Sequence, residues 1–196
     1  MAGIGLSFPC FLPEGENEGT ILGKAVSANL TVNFATGELY ADDALAEDAS
    51  EFISGDMALE TDDLEDEVLS VLYGCKVEDN EVTYNKDDEA PYGTLGFIRR
   101  LQRKGKKYYK GFVFPRTHPA MGNESAQTKG SSITFSTSNT NLKVLEDDNG
   151  DWKKHETFDD YADAKAYVAA ACGITLNTTP ASGSGGSGSG GSGSGT

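Results

Sequence analysis

Alternation of apolar and polar residues is the strongest pattern in this sequence, and it predicts β-strands. In residues 26–34 every second residue is apolar, with Ser, Asn or Thr between, and residues 56–61 alternate in the same way. Residues 94–102 and 106–114 alternate on either side of a Lys-Gly-Lys turn. Because successive side chains of a strand point to opposite faces, these segments predict half-buried antiparallel strands, the last two joined as a hairpin.

The segments between these strands carry turn and loop signals. Residues 35–38 predict a turn, after which residues 39–41 begin a returning strand. The acidic residues 42–51 predict a loop with a helical turn, and two prolines bound a predicted loop at residues 115–119. Alternation at residues 131–137 predicts a further strand.

Two segments have helical spacing, and one dipeptide predicts a turn. Apolar residues recur every three or four positions in residues 62–73 and again in residues 157–172, and a glycine follows each segment. Between them, Asn149-Gly150 is a preferred centre for a tight hairpin turn. The pattern as a whole predicts a mainly β fold with one longer and one shorter helix, of the α+β class.

The chain divides into three predicted parts. Residues 1–23 are punctuated by Gly and Pro and predict an N-terminal arm, residues 24–176 form the folded domain, and residues 177–196 form a flexible Gly/Ser-rich linker. Phe8 and Phe11 lie in the predicted arm, which is either a frayed terminus or a segment that packs on a neighbouring copy. Because exposed phenylalanines on a free tail favour aggregation, we expect the second.

Composition excludes several classes of function. The net charge is −15, which opposes generic binding to DNA or to an anionic membrane. The three cysteines are far apart and lack CxxC or His-paired spacing, so we expect free thiols and neither disulfides nor zinc. No apolar run is long enough for a transmembrane helix, and no signal peptide is predicted.

Positive charge is concentrated in one stretch. Residues 91–130 hold nine Lys or Arg against one Glu, whereas residues 1–90 hold three against twenty-two acids. The basic hairpin in this stretch is a nucleic-acid patch, a solvated edge that discourages strand pairing, or a surface that docks on an acidic copy of the same chain. For the third possibility, the candidate contact residues are Arg99, Arg100, Lys104 and Lys106.

No motif for catalysis, cofactor binding or metal binding is convincing. The segment at residues 19–24 resembles a phosphate loop but is one residue short and lacks the Ser or Thr that follows the lysine. A partial calcium-loop match at residues 145–156 has Leu145 at the first ligand position. We therefore expect no enzyme activity, no cofactor and no metal. A hydrolase that uses two of the many carboxylates remains an alternative, which a pocket with two convergent acids would favour.

Several segments, in order, resemble the major tail protein, or tail tube protein, of bacteriophages with long non-contractile tails. They are LYADD at residues 39–43, GDMALE at residues 55–60 followed by the acidic helix ending at Gly74, the hairpin of residues 93–114, and TKGSSITF at residues 128–135. An Asn-Gly turn with Trp152 and an alanine-rich closing helix complete the set. The likeness covers about residues 20–172, most of the folded chain.

The resemblance implies a structural role in a virion. The expected fold is an antiparallel β-sandwich or partial barrel with a flanking α-helix. Copies would form rings, usually hexameric, and stacked rings would make the tail tube through which DNA passes without specific binding. The implied partners are the chain itself and the tail terminator, tape measure and baseplate proteins, and no membrane. The implied location is the virion tail, assembled in the host cytoplasm. A decoration or adhesive module that forms no tube is the alternative.

The acidic charge has an expected use in such a tube. A channel lined by carboxylates would repel the phosphates of passing DNA, whereas one lined by lysines would hold them. Asp56 and Glu60 alternate on one face of a predicted strand, opposite Met57 and Leu59, and are the candidate acids facing the channel. The alternative is that these acids lie on the outer wall and only keep tubes soluble.

Overall fold

The computed structural model describes residues 2–41, 44–79, 81–122 and 137–176. This part of the chain is mainly β, of the α+β class, as the sequence predicts. Neither of its two helices has the length and apolar character needed to span a bilayer. In chain order the elements are β1 (Ala2–Pro13), β2 (Thr20–Ile21), β3 (Ala25–Ala41), β4 (Ala44–Thr61), α1 (Asp66–Tyr73), β5 (Lys76–Glu78), β6 (Glu81–Thr83), β7 (Gly93–Arg103), β8 (Lys106–Met121), β9 (Ser138–Leu145), β10 (Lys154–Phe158) and α2 (Tyr161–Ala171).

The main sheet has eight antiparallel strands, and it divides into two halves at β8 because β8 changes its pairing partner along its length. The strand order is β2-β1-β7-β8-β9-β4-β3. One edge of β8 pairs with β7, whereas its other edge pairs with β10 at residues 109–113 and with β9 at residues 116–121. We call β2, β1, β7, β10 and the first part of β8 the α2 half, and the rest of β8 with β9, β4 and β3 the β3 half.

The two halves of the sheet share one hydrophobic core. Phe11, Leu95 and Phe114 of the α2 half lie in the same buried cluster as Leu59 and Val144 of the β3 half. Buried residues of α1 join this cluster. Each large apolar side chain removed from water in this way stabilises the fold by about 1.5–3 kcal/mol. The halves are therefore the two layers of a sandwich.

Helix α2 covers the outer face of the α2 half. Val168 and Cys172 are fully buried in a second cluster with Cys10 and Ile98. The helix lies close to the sheet because Gly96 has no side chain, and a Cβ there would lie only 2.7 Å from Cγ1 of Val168. The described part of the chain therefore has a helix layer on one side and, on the opposite side, the outer face of the β3 half.

The prediction of an N-terminal arm is wrong for the described residues. Ala2–Pro13 is strand β1, which pairs with β7 inside the sheet. Phe11 has no exposed surface and lies in the main core, so it cannot contact a neighbouring copy. Phe8 packs against the α2 cluster of its own chain, with Nζ of Lys165 5.0 Å from its ring centre. Two register shifts interrupt the alternation of β1, which is why the pattern conceals this strand.

The predicted turn at residues 35–38 and loop at residues 42–51 are also wrong. Strand β3 continues to Ala41, and β4 pairs with it from Ala44 onward. Residues 42 and 43 themselves lie outside the described part. Residues 35–37 and 49–51 are exposed, so their polarity does not oppose a strand.

Further along the chain, one predicted loop is a strand and one predicted hairpin has a different pairing. Residues 115–119 belong to β8, and Pro115 lies where the partner of β8 changes from β10 to β9, at an interruption of the ladder where proline is tolerated. Gly150 has a positive φ of 81° in a turn, as Asn149-Gly150 predicts. However, the strands on either side of it, β9 and β10, pair with β8 and not with each other. Of the strand predicted at residues 131–137, all but the last residue lie outside the described part, as does the linker of residues 177–196.

Candidate assembly surface

The outer face of the β3 half is a polar surface four strands wide. The register of the paired strands aligns its side chains in rows, such as Thr31, Asp56, Lys143 and His118. We call this surface the polar face. It consists of Ser27, Asn29, Thr31 and Asn33 of β3, Asp56, Ala58 and Glu60 of β4, Asn139, Asn141 and Lys143 of β9, and His118 and Ala120 of β8.

Asp56 lies at the centre of a polar network on this face. Its carboxylate accepts hydrogen bonds from Nζ of Lys143 at 2.8 Å and from Nδ2 of Asn33 at 2.7 Å. These two donors lower the pKa of Asp56 below its ordinary value, the lysine contributing most. Asp56 is therefore ionised at neutral pH, and its charge is balanced locally by Lys143.

Glu60 is held on the same face by hydroxyl groups. Its carboxylate accepts hydrogen bonds from Oγ1 of Thr137 and, at 2.9 Å, from Oγ of Ser27. The hydroxyl of Thr137 contributes most to lowering the pKa of Glu60. Asp56 and Glu60 share one face of β4, and Met57 and Leu59 between them are buried. This part of the prediction is confirmed, whereas a position facing a channel stays a prediction.

The β3 half has strand edges without a partner in the described part of the chain. Among the described residues, strand β3 pairs only with β4, so its other edge has no strand partner there. The pairing of β8 with β7 ends at Thr117, so residues 118–121 of β8 have one open edge too. Near the open edge of β3, Val26 is 51% exposed and Phe34 is 51% exposed. Long exposed edges with apolar residues are places where further strands add to a sheet.

Beyond the sheet, β3 and β4 continue as a two-stranded ribbon. Pairing of β4 with β9 stops at Gly55, so residues 44–54 of β4 pair only with β3. We call residues 33–41 and 44–54 the ribbon. Their sequence contains four acids and no Lys or Arg. A two-stranded ribbon is only marginally stable by itself in water. We therefore expect another surface to pack against a ribbon of this length.

The basic residues singled out from the sequence lie in different surroundings. Lys104 is at the tip of the β7–β8 turn with a positive φ of 48°. Lys106 forms an ion pair with Asp159 at 3.1 Å, so its charge is used within the chain. Arg100 lines a shallow pocket beside Tyr109 and Tyr161 on the α2 side. Arg99 lies on the opposite face of the hairpin, at a groove between the sheet halves.

Two residues of these surfaces are absent from the sequence-based predictions. Lys143 balances Asp56 on the polar face, and Lys153 lies near Arg99. Lys143 stands between buried Leu142 and Val144, so alternation does indicate a strand with Lys143 on its exposed face. Its pairing with Asp56 could not be predicted because that requires the register between β4 and β9.

The described residues contain no obvious catalytic or metal centre. No group of three or more His, Cys, Asp or Glu in the described ranges could hold a metal ion. All three cysteines are free and buried. Contact with the Cys172 thiol, together with burial, raises the pKa of Cys10, and burial raises the pKa of Cys75. Both thiols are therefore protonated, which is the unreactive form.

Comparison with known proteins does not identify a family for this chain, so the functional proposal depends mainly on the geometry of the surfaces described above. A scan against protein-family models finds no match, and a search of curated proteins finds no significant similarity.

Proposed function

We propose that this chain is the building block of a phage tail tube, in which copies form rings and stacked rings enclose a channel for DNA. The observation that carries the proposal is the polar face, a four-stranded surface whose two edges have no strand partner in the described ranges. The helix layer lies on the opposite side of the molecule. A strand edge is stabilised when another strand pairs with it, and a closed barrel leaves no edge open.

The number of strands supports a wide channel. Each β3 half contributes four strands, β3, β4, β9 and the end of β8. Six copies joined edge to edge would form a barrel of roughly 24 strands, and barrels of roughly 16–18 strands already enclose an aqueous channel. The six-fold number itself comes from the resemblance to tail tube proteins.

The chemistry of the polar face suits passage of DNA without retention. Duplex DNA carries one negative charge per about 1.7 Å of its axis, so a run of unpaired lysines would bind it tightly. The polar face instead carries short Ser, Thr and Asn side chains, two acids, and one lysine that is paired with Asp56 at 2.8 Å. In the assembled tube this surface lines the channel and carries a net negative charge.

The remaining parts of the proposal follow from the same resemblance. The tube is part of the virion tail and is assembled in the host cytoplasm. Its ends meet a tail terminator protein and a baseplate, and a tape measure protein occupies its channel during assembly. DNA is a passing cargo and not a bound ligand.

Assembly of the purified chain tests the proposal. Sedimentation velocity across a range of protein concentrations, followed by negative-stain electron microscopy, should reveal rings or tubes with a central channel. A chain that stays monomeric or trimeric at the highest concentrations contradicts the proposal, and a stable trimer would favour a decoration module instead.

A further inference from the structure

A groove opens between the two halves of the sheet. It has a volume of about 540 Å³ and is lined on one side by Phe97 and Phe112 of the α2 half and on the other by Val26 and Leu30 of β3. Volumes of roughly 300–1,000 Å³ are typical of binding pockets. The groove continues the buried core outward, to the region where the two layers separate and Val26 is 51% exposed.

Three cations lie together at the mouth of this groove. Arg99 and Lys110 are directly opposite each other on β7 and β8, in the row that follows Phe97 and Phe112. Lys153, just before β10, lines the groove with Arg99. The interior face of the hairpin therefore changes from aromatic to basic between these two rows.

Lys153 is held in this group by aromatic rings. Its Nζ lies 5.2 Å from the ring centre of Phe112, 6.0 Å from that of Phe114 and 5.8 Å from that of Trp152. Partial burial, and then repulsion from Lys110 and Arg99, lowers its pKa. Aromatic faces attract a cation, but they leave the positive charge of the group in place.

Of the acids whose side chains the structure describes, none forms an ion pair with Arg99, Lys110 or Lys153. Three like charges gathered at the mouth of one groove repel each other, which is unfavourable unless an anion joins them. The fitting occupant carries carboxylates or other anions together with apolar groups.

We propose that this groove receives the ribbon of a second copy of the chain, with carboxylates of the ribbon meeting Arg99, Lys110 and Lys153. The ribbon has four acids and no base, so its charge is opposite to that of the cations at the groove. The ribbon also has a two-stranded structure without a covering strand in the described part. At about 3.3 Å per residue, the eleven residues of β4 beyond Gly55 extend roughly 36 Å, far enough to reach another copy.

The inference rests on the proposed assembly and adds to it the pair of surfaces that meet. A charge-reversal series tests it. The first variant is Arg99→Glu/Lys153→Glu, at the groove. Its matched control is Arg100→Glu/Lys107→Glu, which makes the same change on the opposite face of the same hairpin. The second variant combines the groove substitutions with Glu47→Lys/Glu51→Lys in the ribbon. The charges of both proposed partners are then reversed.

Assembly is measured by sedimentation velocity as the protein concentration at which half of the chain is polymeric. We expect the groove variant to need at least about tenfold more protein than the wild type, since like charges at a contact are repulsive. The control should stay within about threefold, and reversal of both partners should restore assembly to within about threefold of the wild type. If the groove variant does not fold by circular dichroism, Arg99→Gln/Lys153→Met takes its place, with a smaller but measurable loss expected.

The outcomes separate this inference from the proposed function. If the wild type assembles and the groove variant assembles as well as the control, the groove is not a contact and the inference fails alone. If the groove variant loses assembly and reversal of the ribbon charges does not restore it, the ribbon is excluded as the occupant. A groove variant that assembles normally but loses DNA binding would assign the groove to DNA. A wild type that never assembles overturns both the inference and the proposed function.

Discussion

At the scale of single residues, the acids of the polar face depend on their neighbours. Asp56 receives hydrogen bonds from Lys143 and Asn33, and Glu60 receives them from hydroxyl groups of Ser27 and Thr137. Both acids have a lowered pKa in the folded chain. Alternation alone places both on one face of a strand, but their partners come from β3, from β9 and from the residue before β9. These contacts depend on strand register, which the local pattern does not contain.

The lowered pKa values predict a specific loss of stability in acid. Because the folded state holds these carboxylates ionised, their stabilising contribution is present above the ordinary pKa values of 3.8 for Asp56 and 4.5 for Glu60. It is lost as pH falls through the lowered folded values. We expect the urea midpoint of the wild type to fall more steeply below pH 4 than that of Asp56→Asn/Glu60→Gln. The control Glu146→Gln/Asp148→Asn should retain the wild-type slope. Equal slopes in the wild type and the first variant would contradict the assigned hydrogen bonds.

At the scale of elements, strands with one buried face could be predicted, and strands without that pattern could not. Residues 26–34, 56–61 and the β7–β8 hairpin alternate because one face is covered by the core, and all of them are strands. The ribbon lacks this signal because its residues 35–37 and 49–51 are all exposed, so no buried face imposes alternation on them. Strand β1 lacks it because bulges interrupt its register and, at Phe11 and Cys10, both of its faces are buried.

The place of β1 in the sheet predicts a large effect of Phe11→Ala. Phe11 is fully buried in the main core, and truncation of a buried phenylalanine costs about 3–5 kcal/mol. We expect the free energy of unfolding to fall by that amount, measured by urea denaturation of the monomer at low concentration. Phe8→Ala serves as the control, since Phe8 is only half-buried, and should have the smaller effect. If the Phe11→Ala chain stays folded and stable and loses only assembly, the prediction that residues 1–23 form an arm packed on a neighbouring copy would be right after all.

At the scale of the whole molecule, the net charge does not indicate where the acidic and basic surfaces lie. The chain has a net charge of −15, yet Arg99, Lys110 and Lys153 form a basic group at the groove between the sheet halves. The basic stretch is visible in the sequence, but Lys153 lies outside it and joins the group only through the fold. The sequence also cannot indicate that Lys106 is already paired with Asp159. Tertiary contacts decide which charges remain available to a partner.

The charge of the polar face predicts how assembled tubes treat DNA. Wild-type tubes should bind duplex DNA weakly, because the channel wall carries acids and a lysine that is already paired. Tubes of Asp56→Lys/Glu60→Lys should retain DNA at low salt and release it as salt rises, since phosphate contacts are salt-dependent. The control Glu156→Lys/Asp163→Lys makes the same change in net charge on the α2 side. Its tubes should not retain DNA in the channel. Tight, salt-sensitive DNA retention by wild-type tubes would refute a repulsive channel.

The central claim is that the polar face lines a channel formed by joined sheet edges. A cryo-electron microscopy reconstruction of the assembled protein at a resolution that separates strands tests it most directly. We expect the row of Thr31, Asp56, Lys143 and His118 on the channel wall, β3 paired with a strand of the neighbouring copy, and α2 on the outside of the tube. A reconstruction with α2 facing the channel, or with the polar face on the outer wall, would contradict the account.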